Sequence, residues 1–332
     1  MKTQTESEII LSHKSERVLV SNFGASLREY YLLQADGKQL PLLWAYKGAT
    51  NREGGQGDVL APFPGRIRNG KYRFGSQDFQ IDINDKSGPN AIHGFLRNVL
   101  WNIDEQTESH VAFSFRIEPS LFHGYPFSLT FQIVYALTEL GLKTTYRIQN
   151  HSDKSAPVGI GFHPYFTVGN STIDETSLQI PASKVLEFNS GLLPTGKILD
   201  VSSTDVDFRA MRKVSSCRID NCFTDMIRDE NGYSRTIIEN LADLRRVVVT
   251  MDRTFDFLVI YTGDELSSKS KRKSIAIEPL TCATDAFNKE SYKSVSQGGQ
   301  GDPWGEIVIK PQQVKTGHYF ISHEFINAAQ SK

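Results

Sequence analysis

Apolar and polar side chains alternate through Phe127-Ser-Leu-Thr-Phe-Gln-Ile-Val-Tyr135 and again through Leu142-Lys-Thr-Thr-Tyr-Arg-Ile-Gln149. A two-residue period belongs to extended backbone, whose successive side chains leave on opposite sides, so each run predicts a strand with one buried face. In the first run that face carries Phe127, Leu129, Phe131, Ile133 and Tyr135. Thr138-Glu-Leu-Gly141 joins the runs with the glycine that a hairpin turn often needs, which predicts antiparallel pairing. Shorter runs of the same kind recur at Arg17–Ser21, Val111–Ile117, Arg245–Met251, Phe257–Tyr261, Gly305–Lys310 and His318–Phe325. Long amphipathic helices are missing between them. Many short strands separated by Gly, Pro, Asn and Ser turns predict an all-β chain, a large antiparallel β-sandwich rather than a parallel α/β sheet.

Length and charge narrow the function classes. The 332 residues suffice for a large core, and strand-like segments continue from the first twenty residues to the last fifteen, so the chain reads as a single domain over 1–332. Lys and Arg number 37 against 38 Asp and Glu, a balance with no global field for nucleic acid or an anionic membrane. A neutral or weakly charged small molecule fits better. The polar start Met1–Ser7 is followed only by Ile9-Ile-Leu11, too short for a secretory or membrane segment, which predicts a cytoplasmic location. Cys217, Cys222 and Cys282 lack metal or redox spacing and read as free thiols. Asn150-His-Ser152 and Asn170-Ser-Thr172 match a glycosylation sequon that such a location leaves unused. The polar runs Asp264–Lys273 and Ser294–Gly305 read as loops, the second without the strand-to-helix context of a phosphate-binding turn.

Two ionisable residues stand out from this apolar background. His163 lies in Gly159-Ile-Gly-Phe-His-Pro-Tyr-Phe166 and Glu278 in Ser274-Ile-Ala-Ile-Glu-Pro-Leu-Thr281, each followed directly by proline. Burial lowers a histidine's pKa and raises a carboxylate's, which brings both towards the range where proton transfer runs in either direction. The proline biases the preceding residue to extended geometry, suited to the rim of a site. The competing reading of each is a satisfied polar core residue. His93 sits in a shaped turn, Gly88-Pro-Asn-Ala-Ile-His-Gly94, and Arg66 in a Pro- and Gly-rich approach, Leu60-Ala-Pro-Phe-Pro-Gly-Arg66. A guanidinium fork can grip paired hydroxyls. Asp220 lies near Phe223, an aromatic of the kind that stacks on a sugar ring.

Together Pro64-Gly-Arg66-Ile-Arg-Asn-Gly70, Asn90-Ala-Ile-His93-Gly94, Gly161-Phe-His163-Pro-Tyr-Phe166, Leu193-Pro-Thr-Gly196, Asp220-Asn-Cys-Phe223 and Ile277-Glu278-Pro-Leu-Thr-Cys-Ala-Thr-Asp-Ala-Phe287 resemble, in order, the aldose 1-epimerase, or galactose mutarotase-like, family. The resemblance implies a large β-sandwich that interconverts the α and β anomers of a hexose without metal or organic cofactor. It assigns His163 as the acid that protonates the ring oxygen, Glu278 as the base at the anomeric hydroxyl, and His93 as the second catalytic histidine. Arg66 and Asp220 match hydroxyl-binding residues, and Phe95 and Tyr165 complete the expected substrate-binding set. The implied partner is a small-molecule sugar, with the protein a monomer or weak dimer. Gly65 before Arg66, and Gly94-Phe95 after His93, depart from the common galactose-binding pattern and leave the sugar open. Arg66, Arg68, Lys71 and Arg97 form a potential basic rim for a hexose 6-phosphate, or are ordinary surface charges.

Other classes remain to be separated. A non-catalytic carbohydrate-binding sandwich needs Phe95, Tyr165 and Asp220 but neither His163 nor Glu278. A glycoside hydrolase needs two carboxylates, such as Glu278 with Asp220 or Asp285, and leaves His163 idle. A metal hydrolase drawing on His93, His123, His163 and Glu278 lacks any local ligand spacing.

Overall fold

The computed structural model describes residues 5–48, 51–169, 172–292 and 303–326. Asn170, Ser171 and most of the Ser294–Gly305 loop lie outside the described residues, so the second sequon and that loop are not described further.

The alternating runs become the centre of a nine-stranded antiparallel sheet. Its order is Asn102–Gln106, His110–Ile117, Leu129–Thr138, Gly141–Asn150, Val314–Phe325, Arg245–Met251, Ser234–Asn240, Ser177–Gln179 and Arg212–Lys213. Leu129–Thr138 and Gly141–Asn150 pair without a break from Leu129 opposite Asn150 to Thr138 opposite Gly141. The connection is a two-residue turn, Glu139-Leu140, as the sequence predicts. Gly141 has φ +96°, and a Cβ there would sit 2.3 Å from the Ile321 carbonyl oxygen of the next strand, so no other residue fits. Phe127, Leu129, Phe131, Ile133 and Tyr135 are all buried on one face, each such side chain contributing about 1.5–3 kcal/mol of hydrophobic stabilisation.

A second sheet carries Glu278, with His163 between two of its short strands. Its strands run in the order Pro194–Asp200, Ala182–Phe188, Asp220–Met226, Phe257–Tyr261, Ile275–Leu280, Gly161–Phe162 and Val59–Leu60, with Tyr165–Phe166 also paired to Ile275–Leu280. A four-stranded sheet, Glu8–His13, Glu16–Ser21, Ser26–Leu33 and Gln39–Pro41, completes the larger elements. One contiguous apolar core links residues from Ile9 to Ile321. Helical turns among the described residues are short and of the 3-10 type, and none is long and apolar enough to cross a membrane.

Most of the short runs become strands, but Gly305–Lys310 pairs only at Val308–Ile309, since Gly305 has φ +89° and cannot extend. The polar run Asp264–Lys273 carries no strand, yet half-buried Arg272 within it pairs with Asp264 and Asp174 and anchors the loop.

Candidate active site

Register alone brings His163 and Glu278 together. Gly161 is opposite Leu280, and Tyr165 is opposite Ala276, across one antiparallel pairing. Counting two residues inward from either end puts His163 opposite Glu278. Prolines flank the pair on both strands, and neither can donate to the ladder. The bond from the Ile277 amide to the Pro164 carbonyl, 3.3 Å, therefore has no return partner. The pairing opens at this point, and the two side chains meet with His163 Nε2 3.2 Å from Glu278 Oε1.

Both groups are almost withdrawn from water, at 5% and 3% exposure. Burial is the chief cause that lowers the His163 pKa to about 3, with the Arg97 charge adding and the residue's own carbonyl opposing. Burial likewise raises the Glu278 pKa well above the ordinary range, Asp220 adding and Arg66 opposing. Burial of both groups disfavours an imidazolium beside a carboxylate and favours a neutral imidazole beside a protonated carboxyl, one proton between two groups. An imidazolium beside a carboxylate has the same proton count, so moving between the two forms needs no exchange with solvent.

His163 is fixed on several sides. Its amide donates to the Asp58 carbonyl at 3.1 Å, and its carbonyl accepts from the Gly57 amide at 2.9 Å. Tyr165 stacks on the imidazole with centroids 5.0 Å apart and planes 8° apart, and its hydroxyl donates to the Gly54 carbonyl at 3.0 Å. A Cβ on Gly55 would come 2.9 Å from the His163 ring, so this loop closes on the histidine only with glycine there.

Arg66 is opposite Ile92 in a two-residue strand pairing, and His93 follows directly after Ile92. The His93 amide donates to the Gly65 carbonyl at 2.8 Å, and His93 Nδ1 accepts from the Gly65 amide at 3.2 Å. With Nδ1 accepting, the neutral ring carries its proton on Nε2. Burial keeps it neutral, lowering its pKa well below the usual value, with His163, Arg97 and Arg66 adding. The ring stands edge-on to His163 at 5.5 Å. Arg66 Nε donates to Asp85 at 2.8 Å, which aims the rest of the guanidinium.

These residues line one cleft of about 660 Å³. His163, Glu278, His93, Arg66 and Asp220, scattered through the sequence, all face it. Asp220, opposite Tyr261 two strands from Glu278, opens to the cleft solvent. Desolvation by the surrounding wall raises its pKa, Asp264 and Glu265 adding and Arg66 opposing.

Phe95 and Tyr165 do not reach that surface. Phe95 packs on Phe63, Phe122 and Tyr125, an apolar cluster behind the His93 turn. Tyr165 lies behind His163 as its stacking support. Of the basic rim, Arg66 and Arg97 line the cleft, whereas Arg68 turns to Asp285 and Tyr292, and Lys71 is not on the wall. Asp285 is spent on Arg68, Asn288 and Tyr292, and His123 faces Asp82 at the surface. Neither joins the site. No cluster of three or more metal-ligating side chains occurs among the described residues.

Other wall residues carry no motif of their own. Asp58 is fully buried and holds both Arg52 Nε at 3.0 Å and Arg97 Nη1 at 3.2 Å, setting two cations into the wall. Burial raises its pKa to about 6 against those two charges. The only sequence signal for it is the glycine run Gly54-Gly55-Gln-Gly57 just before it. Phe188, Val259 and Tyr261 also line the cleft from strands, and Leu192, Glu265 and Thr284 from loops.

The sheets and their cleft define a galactose mutarotase-like β-sandwich. The fold matches the solved aldose epimerase homologue from C. elegans with a TM-score of 0.84 over 97% of this chain and 100% of that one, at 18% identity. Galactose 1-epimerase from Lactobacillus acidophilus NCFM matches at 0.77 over 98% and 97%, at 19% identity. The profile of the family described as aldose 1-epimerase matches residues 7–300, and the chain belongs to that family. Among relatives, the protein YihR of Escherichia coli K12, described as uncharacterized, is 34% identical over 233 residues, 70% of this chain and 71% of that protein. Galactose mutarotase of Bos taurus is 27% identical over 202 residues, 58% of this chain. That alignment spans 57% of the bovine protein, somewhat over half its length.

Proposed function

We propose that this chain is an aldose 1-epimerase that interconverts the anomers of a hexose by ring opening and reclosure, working as one domain. The observation that carries the reading is the 3.2 Å approach of His163 and Glu278 in the wall of the 660 Å³ cleft. The contiguous core from Ile9 to Ile321 supports the single domain.

With the pair as imidazolium and carboxylate, Glu278 accepts the proton of the anomeric hydroxyl while His163 gives one to the ring oxygen. The bond between C1 and the ring oxygen breaks, and C1 becomes an aldehyde. After rotation about C1–C2 the ring oxygen attacks the other face, and both protons return. No covalent intermediate forms. Sugar hydroxyls and Arg66 at the mouth favour the carboxylate, so a bound sugar draws the pair towards its charged form. Neutral His93 donates to the oxygen that gains charge, while Asp220 and Arg66 hold the hydroxyls.

Four cations, Arg52, Arg66, Lys86 and Arg97, line the same cleft and support a second reading in which the hexose carries a 6-phosphate. One experiment tests both. Pure α anomers of glucose, galactose and other aldoses, with and without 6-phosphate, are followed by polarimetry with wild type, His163→Asn and Glu278→Gln. Acceleration of exchange by wild type, lost in both variants, is the expected result. Unchanged exchange across the whole panel defeats the reading, and cleavage of a glycoside replaces it with hydrolysis.

A further inference from the structure

The strand Ile275–Leu280 that carries Glu278 runs on into a bend, and Thr284 in that bend lines the cleft. Flanking amides fix its place: Ala283 donates to the Trp304 carbonyl at 3.1 Å and Asp285 to the Arg66 carbonyl at 2.8 Å. The second bond draws Thr284 against the turn before Arg66. A Cβ on Gly65 would stand 2.3 Å from Thr284 Oγ1, so the threonine hydroxyl takes the space that any side chain at position 65 would need. The Gly65 amide in turn donates to His93 Nδ1 at 3.2 Å. Thr284 thus reaches the cleft beside Arg66 and His93, two groups that contact the sugar in the epimerase reading.

Thr284 is only 5% exposed, yet its hydroxyl hydrogen bonds to no other described residue. Buried hydroxyls ordinarily have a partner. Thr281, three residues earlier, shows the ordinary case, its hydroxyl accepting from the Ile160 amide at 2.9 Å and donating to the Ile160 carbonyl at 3.2 Å. Polar neighbours on the cleft wall are engaged too: Arg66 Nε and Ser87 Oγ donate to Asp85 at 2.8 and 2.6 Å, and the Tyr261 hydroxyl accepts from the Glu265 amide at 3.0 Å.

We infer that Thr284 is a further specificity-determining residue, whose hydroxyl pairs with one hydroxyl of the bound sugar on the Arg66 and His93 side of the cleft. The inference rests on the epimerase reading for its ligand. A threonine hydroxyl both donates and accepts, as a sugar hydroxyl does, so the contact is a neutral one. A pocket that hydrogen bonds a substrate hydroxyl discriminates against the analogue lacking it, because its own polar group is then left unpaired. Gly65 permits the contact by leaving the space open.

The test is equilibrium titration of glucose and galactose, and of their 2-, 3-, 4- and 6-deoxy forms, against wild type, Thr284→Val, Thr284→Ala and Thr284→Ser. Valine keeps the shape without the hydroxyl, alanine guards against a valine variant that does not fold, and serine keeps the hydroxyl. For at least one parent sugar, the valine and alanine variants are expected to bind about tenfold more weakly than wild type. One deoxy form of that sugar should bind wild type about tenfold more weakly than its parent, and lose nothing further in those two variants, since the partner hydroxyl is already gone. Thr284→Ser should keep the wild-type pattern. Equal losses for the parent and every deoxy form, or no loss for any sugar, overturn the inference. Binding needs no turnover, so the expected pattern in a protein that exchanges no anomers counts against the epimerase reading alone.

Discussion

Two antiparallel pairings in this molecule obey one register rule to opposite ends. In the hairpin Leu129–Asn150 the ladder is unbroken, and the inward face is apolar apart from Thr144 and Asn150. Where Gly161–Phe166 meets Ile275–Leu280, two prolines interrupt the ladder, and the residues facing each other are an imidazole and a carboxyl with perturbed pKa values. The first pairing keeps its ladder complete and buries mostly apolar side chains. The second buries two groups that water would keep ionisable at ordinary pH, so the site carries a stability cost that the hairpins and core offset.

The largest test of that contrast is catalytic. His163→Asn and Glu278→Gln are each expected to lower kcat for anomer exchange by about 10²–10⁴-fold, while circular dichroism stays native. Phe131→Ala in the hairpin should do the reverse, costing about 3–5 kcal/mol in urea unfolding with the kcat of the folded fraction retained. Equal effects of both kinds on activity would erase the distinction.

Next in size is the stability hidden in Glu278. Its folded pKa is raised, so the unfolded chain releases this proton near the ordinary 4.5 while the folded chain holds it to higher pH. The group's contribution is therefore full below about 4.5 and lost as pH rises towards the folded value. Glu278→Gln keeps the neutral shape and removes the loss. Thermal unfolding should show the variant more stable by about 0.5–2 kcal/mol at pH 7.5, with no gain at pH 4. His163 carries the opposite sign: with a folded pKa of about 3 against 6.5 unfolded, it destabilises the fold as pH falls below 6.5. A gain from Glu278→Gln that grew towards acid pH would contradict the assignment.

A further contrast concerns the glycine that shapes the His93 turn. Gly94 has φ +66°, and a Cβ would stand 2.0 Å from the Ala61 carbonyl oxygen. Gly94→Ala should cost more than about 1 kcal/mol and lower kcat by displacing His93, whereas Gly75→Ala, also at positive φ but in open space, should show only the backbone strain and full activity.

Much of this was legible before the fold was seen. Period-two alternation foretold the central hairpin and its buried face, and proline after His163 and Glu278 pointed to extended geometry at the rim of a site, though not to the pairing of the two segments. What lay beyond reach was whatever depends on register between distant segments. Tyr165 and Phe95 have the composition of sugar-stacking residues, but the turn at Pro164 and the cluster around Phe63 direct them behind the wall. Asp58, Tyr261 and Phe188 have no motif because their roles come from neighbours the fold brings up, such as Arg97 for Asp58 and Asp220 opposite Tyr261.

The central claim is that His163 and Glu278 act as one proton-sharing unit. A double-mutant cycle on anomer exchange, measured by NMR magnetisation transfer on the hexose that wild type turns over fastest, tests it directly. The account predicts that His163→Asn combined with Glu278→Gln loses no more than the worse single variant, because either change alone already breaks the unit. Losses that multiply, or a single variant that keeps near wild-type exchange, would contradict it.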